Sequence, residues 1–220
     1  MRKVILLGDS TCAQKTPETR PETGWGEQLG AFLSGGWEVV NLAVNGLSTK
    51  SAISDGVYEA ALNEAGRGDL VLVQFGHNDE KSDDVLRYAS PWSGFIANLK
   101  YMAKGFQGKG AKVVFITPVA RRKFEGSYLV DTHHDYPAAM KCAASQLGIE
   151  CIDMTIPTMI MIQRAGESDS RKYFMNFGEM LYANYPDGLD DNSHLRPVGA
   201  ATIARMIAQE LKKIIPGLVK

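Results

Sequence analysis

With 220 residues, the chain is long enough for one large domain that buries its own core without help from disulfides or metal. Hydrophobic residues make up 45% and charged residues 22%, the balance of an ordinary soluble globular protein. A formal net charge of −1 excludes the basic surplus that would point to nucleic acid or an anionic membrane as a partner.

Cys12, Cys142 and Cys151 are odd in number and form no C-x-x-C, so neither a disulfide framework nor a zinc site is expected. Three free thiols fit a reducing compartment. Met1-Arg2-Lys3 and the apolar run after it resemble the start of a signal peptide. The run is too short, however, and meets Asp9 directly. No other segment approaches membrane-spanning length. A cytoplasmic protein is expected.

Lys3–Leu7 reads as the first strand, with Gly8-Asp9-Ser10-Thr11 at its carboxyl end. Gly24–Leu33 has helical spacing, and Trp37–Leu42 is strand two. Asn45-Gly46 signals a turn. Ser48–Asn63 holds one helix or two, interrupted near Gly56. Asp69–Phe75 is strand three, nearly all apolar, followed by the polar loop Gly76–Ala89. Pro91 opens a helix to about Phe106 with Phe95, Ile96, Leu99 and Met102 on one face. Lys112–Thr117 is strand four, and Pro118–Asp131 is a loop carrying Arg121, Arg122 and Lys123. Asp135 is a candidate cap for a helix over Tyr136–Leu147. Ile149–Asp153 is strand five. Thr155–Ala165 and Arg171–Leu181 read as helical, Ala183–Arg196 as a polar loop, and Pro197–Ile215 as the terminal helix.

Strands and helices alternate throughout, with no repeat, low-complexity segment or linker. That pattern predicts one domain over residues 1–220, an α/β protein with helices on both faces of a five-stranded parallel sheet. In such sheets ligands bind at the carboxyl ends of the strands. Ser10, placed there by strand one, is a candidate nucleophile. It needs a base, a group to orient the base, and donors for an oxyanion. His194 is one of four histidines and lies in Asp191-Asn192-Ser193-His194. Three residues of separation let Asp191 reach Nδ1 and leave Nε2 for the serine proton, although the same spacing also serves a capping acid beside a packed histidine. Asn78, in Gly76-His77-Asn78-Asp79, can offer its side-chain amide to an oxyanion, and Gly46 its backbone N–H; each also fits an ordinary turn. No serine lies in G-x-S-x-G, and the Gly8 loop lacks the later glycines and lysine of a P-loop.

Gly8-Asp9-Ser10, Gly46, Gly76-His77-Asn78-Asp79 and Asp191-x-x-His194 together resemble the four blocks of the SGNH (GDSL-type) hydrolases. Further similarities are Asn41-x-Ala43-Val44-x-Gly46-x-Ser48, Thr117-Pro118-Val119-x-Arg121-Arg122 and His133-x-Asp135-Tyr136-Pro137. With Phe75 before the third block, these are similar to the rhamnogalacturonan acetylesterase branch. The resemblance implies a flavodoxin-like three-layer α/β/α sandwich with Ser10 as nucleophile, His194 as general base and acid, and Asp191 as its orienter. It implies an oxyanion hole made of the Ser10 and Gly46 N–H groups and the Asn78 side chain. The implied reaction uses no metal or organic cofactor and acts on acetylated oligosaccharides from pectin. Acetylated xylan, other acetyl sugars and short-chain lipid esters are alternatives. A carbohydrate-binding module with a vestigial site is a further one. Two positions depart from relatives: Leu47 stands where Arg is common, and His134 where Gly is common.

Substrate contacts are expected from His77, Arg121, Arg122, His133 and Tyr136. Arg121 and Arg122 could pair with a uronate carboxylate, and each candidate also admits a purely structural role. Asp9 is expected to brace the turn that presents Ser10.

Overall fold

The computed structural model describes residues 1–220. Strand β1 (Arg2–Gly8) lies inside the sheet because Val4, Ile5, Leu6 and Leu7 are all fully buried, which suits a strand covered on both faces. Helix α1 (Trp25–Leu29) follows a long loop and runs on into a 3-10 turn, Gly30–Phe32. Its start is fixed by Glu27, whose carboxylate accepts from the Gly24 N–H at 2.9 Å. Strand β2 (Trp37–Asn41) comes next. The segment expected to hold one or two helices holds two, α2 (Thr49–Ser54) and α3 (Val57–Glu64). Gly56 separates them at φ 78°, a conformation that favours glycine. Ser48 caps α2, accepting from the Ser51 N–H at 3.1 Å.

Strand β3 (Leu70–Gln74) is buried at every position. A turn of π-helix, Pro91–Phe95, leads into α4 (Ile96–Gly108), and β4 (Lys112–Ile116) follows. A small hairpin, β5 (Phe124–Glu125) with β6 (Tyr128–Leu129), decorates the next loop. Helix α5 (Tyr136–Leu147) leads to β7 (Glu150–Ile152). Asp135 makes no capping bond there; its carboxylate instead accepts from Trp92 Nε1 at 2.8 Å. Helix α6 (Thr155–Ser170) contains a break at Gly166 (φ 76°), the residue at which the sequence stops reading as helix.

The region after α6 differs from expectation. Only Arg171–Tyr173 is helical, as one 3-10 turn. Strands β8 (Phe174–Phe177) and β9 (Leu189–Leu195) then pair antiparallel, with Phe174 opposite Leu195 and Asn176 opposite Asp190. The second half of the polar loop expected over residues 183–196 is therefore largely a strand, Leu189–Leu195. Helix α7 (Pro197–Ile214) ends the fold.

The sheet order is β2-β1-β3-β4-β7, and every pairing is parallel. This is the flavodoxin-like order expected from the sequence. Alternation along the strands divides the core into two clusters. Val4, Leu6, Leu72 and Val114 face α1, α6 and α7, whereas Ile5, Leu7, Val73 and Phe115 face α2 to α5. From β1 the chain passes to β2 on one side and then crosses back to β3 on the other, so a crevice opens at the carboxyl ends of β1 and β3. No helix is long and apolar enough to cross a membrane.

Candidate active site

Beyond Gly8 the chain turns sharply, and Asp9 holds the turn. Its carbonyl accepts from the N–H groups of Cys12 and Ala13, both at 3.1 Å. Its buried carboxylate accepts from the Thr11 N–H at 3.0 Å, Gln74 Nε2 at 2.9 Å and His77 Nδ1 at 3.1 Å, with the Thr11 hydroxyl at 2.8 Å. Burial alone would raise its pKa, yet the charge and hydrogen bond of His77 and the Thr11 donors hold it below the ordinary value. Asp9 is thus an ionised brace with its acceptor sites filled.

This turn presents Ser10, 8% exposed, with its Oγ 2.9 Å from Nε2 of His194. His194 lies near the end of β9, and its Nδ1 is 2.6 Å from Asp191 Oδ2. The other oxygen, Oδ1, accepts from the backbone N–H groups of Ser193 at 2.8 Å and His194 at 3.0 Å. These bonds curl the chain so that an acid three residues upstream meets the imidazole. A carboxylate only accepts, so Nδ1 carries the hydrogen and Nε2 is left to accept from Ser10. Burial works against charge on Asp191, but the bond and charge of His194 with the two backbone donors bring it down to about 2. Burial likewise opposes a charged His194, and the bond to Asp191 and its charge outweigh that and raise the imidazole above its ordinary value.

Strand β9 belongs to the outlying hairpin, so its position needs anchors. Arg122 supplies them: its backbone N–H donates to Asn192 O at 2.8 Å and its Nη1 to Asn192 Oδ1 at 2.6 Å. Nε reaches Ser170 Oγ at 2.9 Å, and Nη2 donates to Glu167 O. Asn176 of β8 adds a bond to Asn192 Oδ1 at 2.9 Å.

Ser10 and His194 line a cavity of about 170 Å³ together with Thr11, His77, Asn78, Lys81, Arg121 and Ser193; no apolar residue lines it. Asn78 donates from Nδ2 to Leu47 O at 3.0 Å, which ties the loop after β3 to the loop after β2. Gly46 lines an adjoining groove of about 430 Å³, where Asn45, Leu47, Ser51, Asp84 and Arg87 also lie. The backbone N–H groups of Ser10 and Gly46 donate to no acceptor within the protein. A hydroxyl, an imidazole and a carboxylate in this sequence of contacts, with the unengaged N–H of Ser10 itself, can carry out acyl transfer.

The five expected substrate contacts separate into two sets. His77 and Arg121 line the cavity. His77 is held through Nδ1, its Nε2 has no partner, and burial pushes it down to about 4, so its ring is neutral near pH 7. Arg121 pairs with Glu80 and donates to His77 O at 3.2 Å. The other three lie behind the cavity and support its walls. Arg122 is 5% exposed and spent on the anchors above. His133 is fully buried, with Nδ1 3.1 Å from Glu80 Oε2 and Nε2 donating to Val119 O at 2.9 Å. The Tyr136 hydroxyl sits 2.9 Å from Asp79 O and 3.0 Å from Ala89 O. Thr11, Lys81 and Ser193 were not singled out from the sequence. Each lies within three residues of an expected site residue, in a segment that follows a strand or precedes the terminal helix.

The two departures have local explanations. Leu47 turns its side chain into the core, 4% exposed, and uses only its carbonyl at the site. His134 adopts φ 48°, a left-handed conformation in which glycine is the least strained residue.

The fold and these motifs define the class. The chain belongs to the GDSL-like lipase/acylhydrolase family, which residues 6–201 match, and it is an ester hydrolase. Among its relatives, the rhamnogalacturonan acetylesterase RhgT of Bacillus subtilis (strain 168) is 36% identical over 213 residues, covering 96% of this chain and 90% of RhgT. The probable rhamnogalacturonan acetylesterase YesY of the same organism is 31% identical over 211 residues, covering 96% of this chain and 93% of its own. Among solved structures, YxiM from Bacillus subtilis has a TM-score of 0.82 at 23% identity and covers 99% of this chain. This chain spans 58% of the YxiM chain, and at that identity the likeness concerns the fold.

Proposed function

We propose that the protein is a carbohydrate acetylesterase that releases acetate from pectin-derived sugars, with rhamnogalacturonan oligosaccharides as its substrate. The observation that carries the mechanism is the unbroken line from Ser10 Oγ through His194 to Asp191, at 2.9 and 2.6 Å. Ser10 attacks the acetyl carbonyl as His194 Nε2 takes its proton. The Ser10 and Gly46 N–H groups and the Asn78 amide receive the oxyanion. The sugar hydroxyl departs with the proton from His194, and water then deacylates Ser10 along the same route. Two relatives named as rhamnogalacturonan acetylesterases over nearly the full chain support the substrate. A 170 Å³ cavity without apolar lining suits an acetyl group on a polar leaving group better than a long acyl chain.

Acetate release from acetylated rhamnogalacturonan and acetylated xylan oligosaccharides, by the wild type and Ser10→Ala, tests this. We expect preference for the first substrate and a loss of roughly 10⁴-fold or more in the variant. Retained activity in a folded Ser10→Ala protein removes the mechanism; preference for xylan removes the substrate.

A further inference from the structure

Asn78 can serve an oxyanion only if its amide nitrogen, and not its carbonyl oxygen, faces the reacting carbonyl. Two contacts decide which way it faces. Leu47 O can only accept a hydrogen bond, and it lies 3.0 Å from Asn78 Nδ2. Arg87 Nη1 can only donate, and it lies 3.5 Å from Asn78 Oδ1. Both ends of the carboxamide therefore specify the same orientation. One hydrogen of Nδ2 goes to Leu47, and the second is left for the cavity that Asn78 lines with Ser10 and His194. A flipped amide would set oxygen against oxygen at Leu47, amide hydrogens against guanidinium at Arg87, and an acceptor toward the forming oxyanion.

Arg87 is itself held for this contact. Asp84 Oδ2 accepts from its Nε at 2.5 Å, and Asp84 Oδ1 accepts from the N–H groups of Leu86 at 3.0 Å and Arg87 at 3.2 Å. The guanidinium also lies near Gly46, whose N–H is the other expected oxyanion donor. A Cβ on Gly46 would come 3.6 Å from Nη1. Arg87 lines the groove beside Gly46 and not the cavity of Ser10, so it does not touch the reacting atoms.

We propose that Arg87 is a positioning residue that fixes the Asn78 carboxamide in its donating orientation and reinforces that donor with its charge. The role presupposes the Ser10 mechanism proposed above. A 3.5 Å contact is weak in the free protein. It shortens as negative charge collects on the substrate oxygen and draws the amide dipole into line. An interaction that strengthens only as charge develops acts on kcat and leaves substrate binding nearly unchanged.

The test measures kcat and KM on 4-nitrophenyl acetate for Arg87→Gln, Arg87→Lys, Asn78→Ala and the Arg87→Gln/Asn78→Ala pair, with thermal melting to establish that each is folded. Removing a whole oxyanion donor costs about 10²–10³-fold, so loss of its positioner is expected to lower kcat roughly 10-fold with KM within about 3-fold. Arg87→Lys, which keeps charge and donor, should recover part of the loss. In the Asn78→Ala background Arg87→Gln should cost less than about 2-fold, because the group it acts through is gone. A full loss in that background, a loss confined to KM, or no loss in kcat overturns the proposal. Ser10→Ala is assayed alongside: activity surviving there removes the nucleophile, whereas failure of Arg87 alone leaves Ser10 and His194 in place.

Discussion

Asp191→Asn gives the sharpest reading of the proposed base. In the folded protein Asp191 Oδ1 accepts two backbone N–H groups, and Oδ2 accepts from His194 Nδ1. An asparagine here must keep its carbonyl oxygen on the two backbone donors, so its NH2 falls against Nδ1. The imidazole then moves its hydrogen to Nε2, where it can no longer accept the Ser10 proton. The charge is lost as well. Bringing Asp191 from 3.8 to about 2 corresponds to roughly 2.5 kcal/mol at about 1.4 kcal/mol per pKa unit, before screening of a carboxylate that is 28% exposed. That is at most about 60-fold, and the wrong tautomer adds more, for a total fall in kcat of roughly 10³–10⁴-fold. The assay is kcat and kcat/KM for an acetate ester between pH 5 and 9. The neutral imidazole is the active form, so wild-type kcat/KM should be lost as pH falls through a midpoint above 6.5, where Asp191 holds His194. Any residual activity of the variant should lose that midpoint. If Asp191→Asn keeps more than about a tenth of wild-type kcat, Asp191 does not set the tautomer and the reasoning fails.

Two further outcomes follow from buried groups near the site. Asp79 is fully buried, takes the N–H and hydroxyl of Thr49 on Oδ1, leaves Oδ2 without a partner, and is pushed by burial up to about 7. An acid with a raised folded pKa contributes stability that is complete below the unfolded value of 3.8 and is lost as pH rises through about 7. The neutral Asp79→Asn should therefore melt with a smaller loss between pH 5 and pH 8 than the wild type, a difference on the order of 2–4 kcal/mol; parallel melting curves would count against it. Arg122→Ala should leave Asn192, Ser170 and Glu167 O without their buried partner and cost about 3 kcal/mol, or roughly 6–12 °C in Tm. Because Arg122 anchors β9, kcat should fall as well; a variant as stable as the wild type would show the anchor to be dispensable.

How much was legible depended on where each residue's partners lie. Strands β1, β3 and β4 were readable because both of their faces are buried, which turns sequence alternation into unbroken apolar runs. The β8–β9 hairpin was not. Leu189–Leu195 is mostly polar because Asp190, Asn192 and His194 hydrogen-bond to distant groups, so no apolar alternation marks it as a strand. Arg171–Leu181 reads as helical in the sequence, and the pairing of Phe174–Phe177 with β9 overrides that reading. The meeting of Ser10, Asn78 and His194 in one cavity could be anticipated because each stands at a strand end in a recognisable block. The burial of Arg122, His133 and Tyr136 could not, since their partners lie 14 to 70 residues away. A basic or aromatic residue in a loop looks the same in sequence whether it faces water or braces the wall behind a site.

Ser10 stands at the end of the central sheet, whereas His194 and Asp191 stand on a two-stranded hairpin outside it. Function and fold therefore need not fail together. If the hairpin opens as a unit, pulling Phe174 and Leu195 from the core while the sheet stays closed, backbone amides of β8 and β9 will exchange with solvent sooner than those of β1 and β3. Such a state would keep most of the circular dichroism of the native protein and have no imidazole beside Ser10. In mild denaturant, hydrolysis should disappear ahead of helical structure. The interval between the two would measure how firmly the Arg122 contacts and the burial of Phe174 and Leu195 hold the hairpin against the rest of the fold.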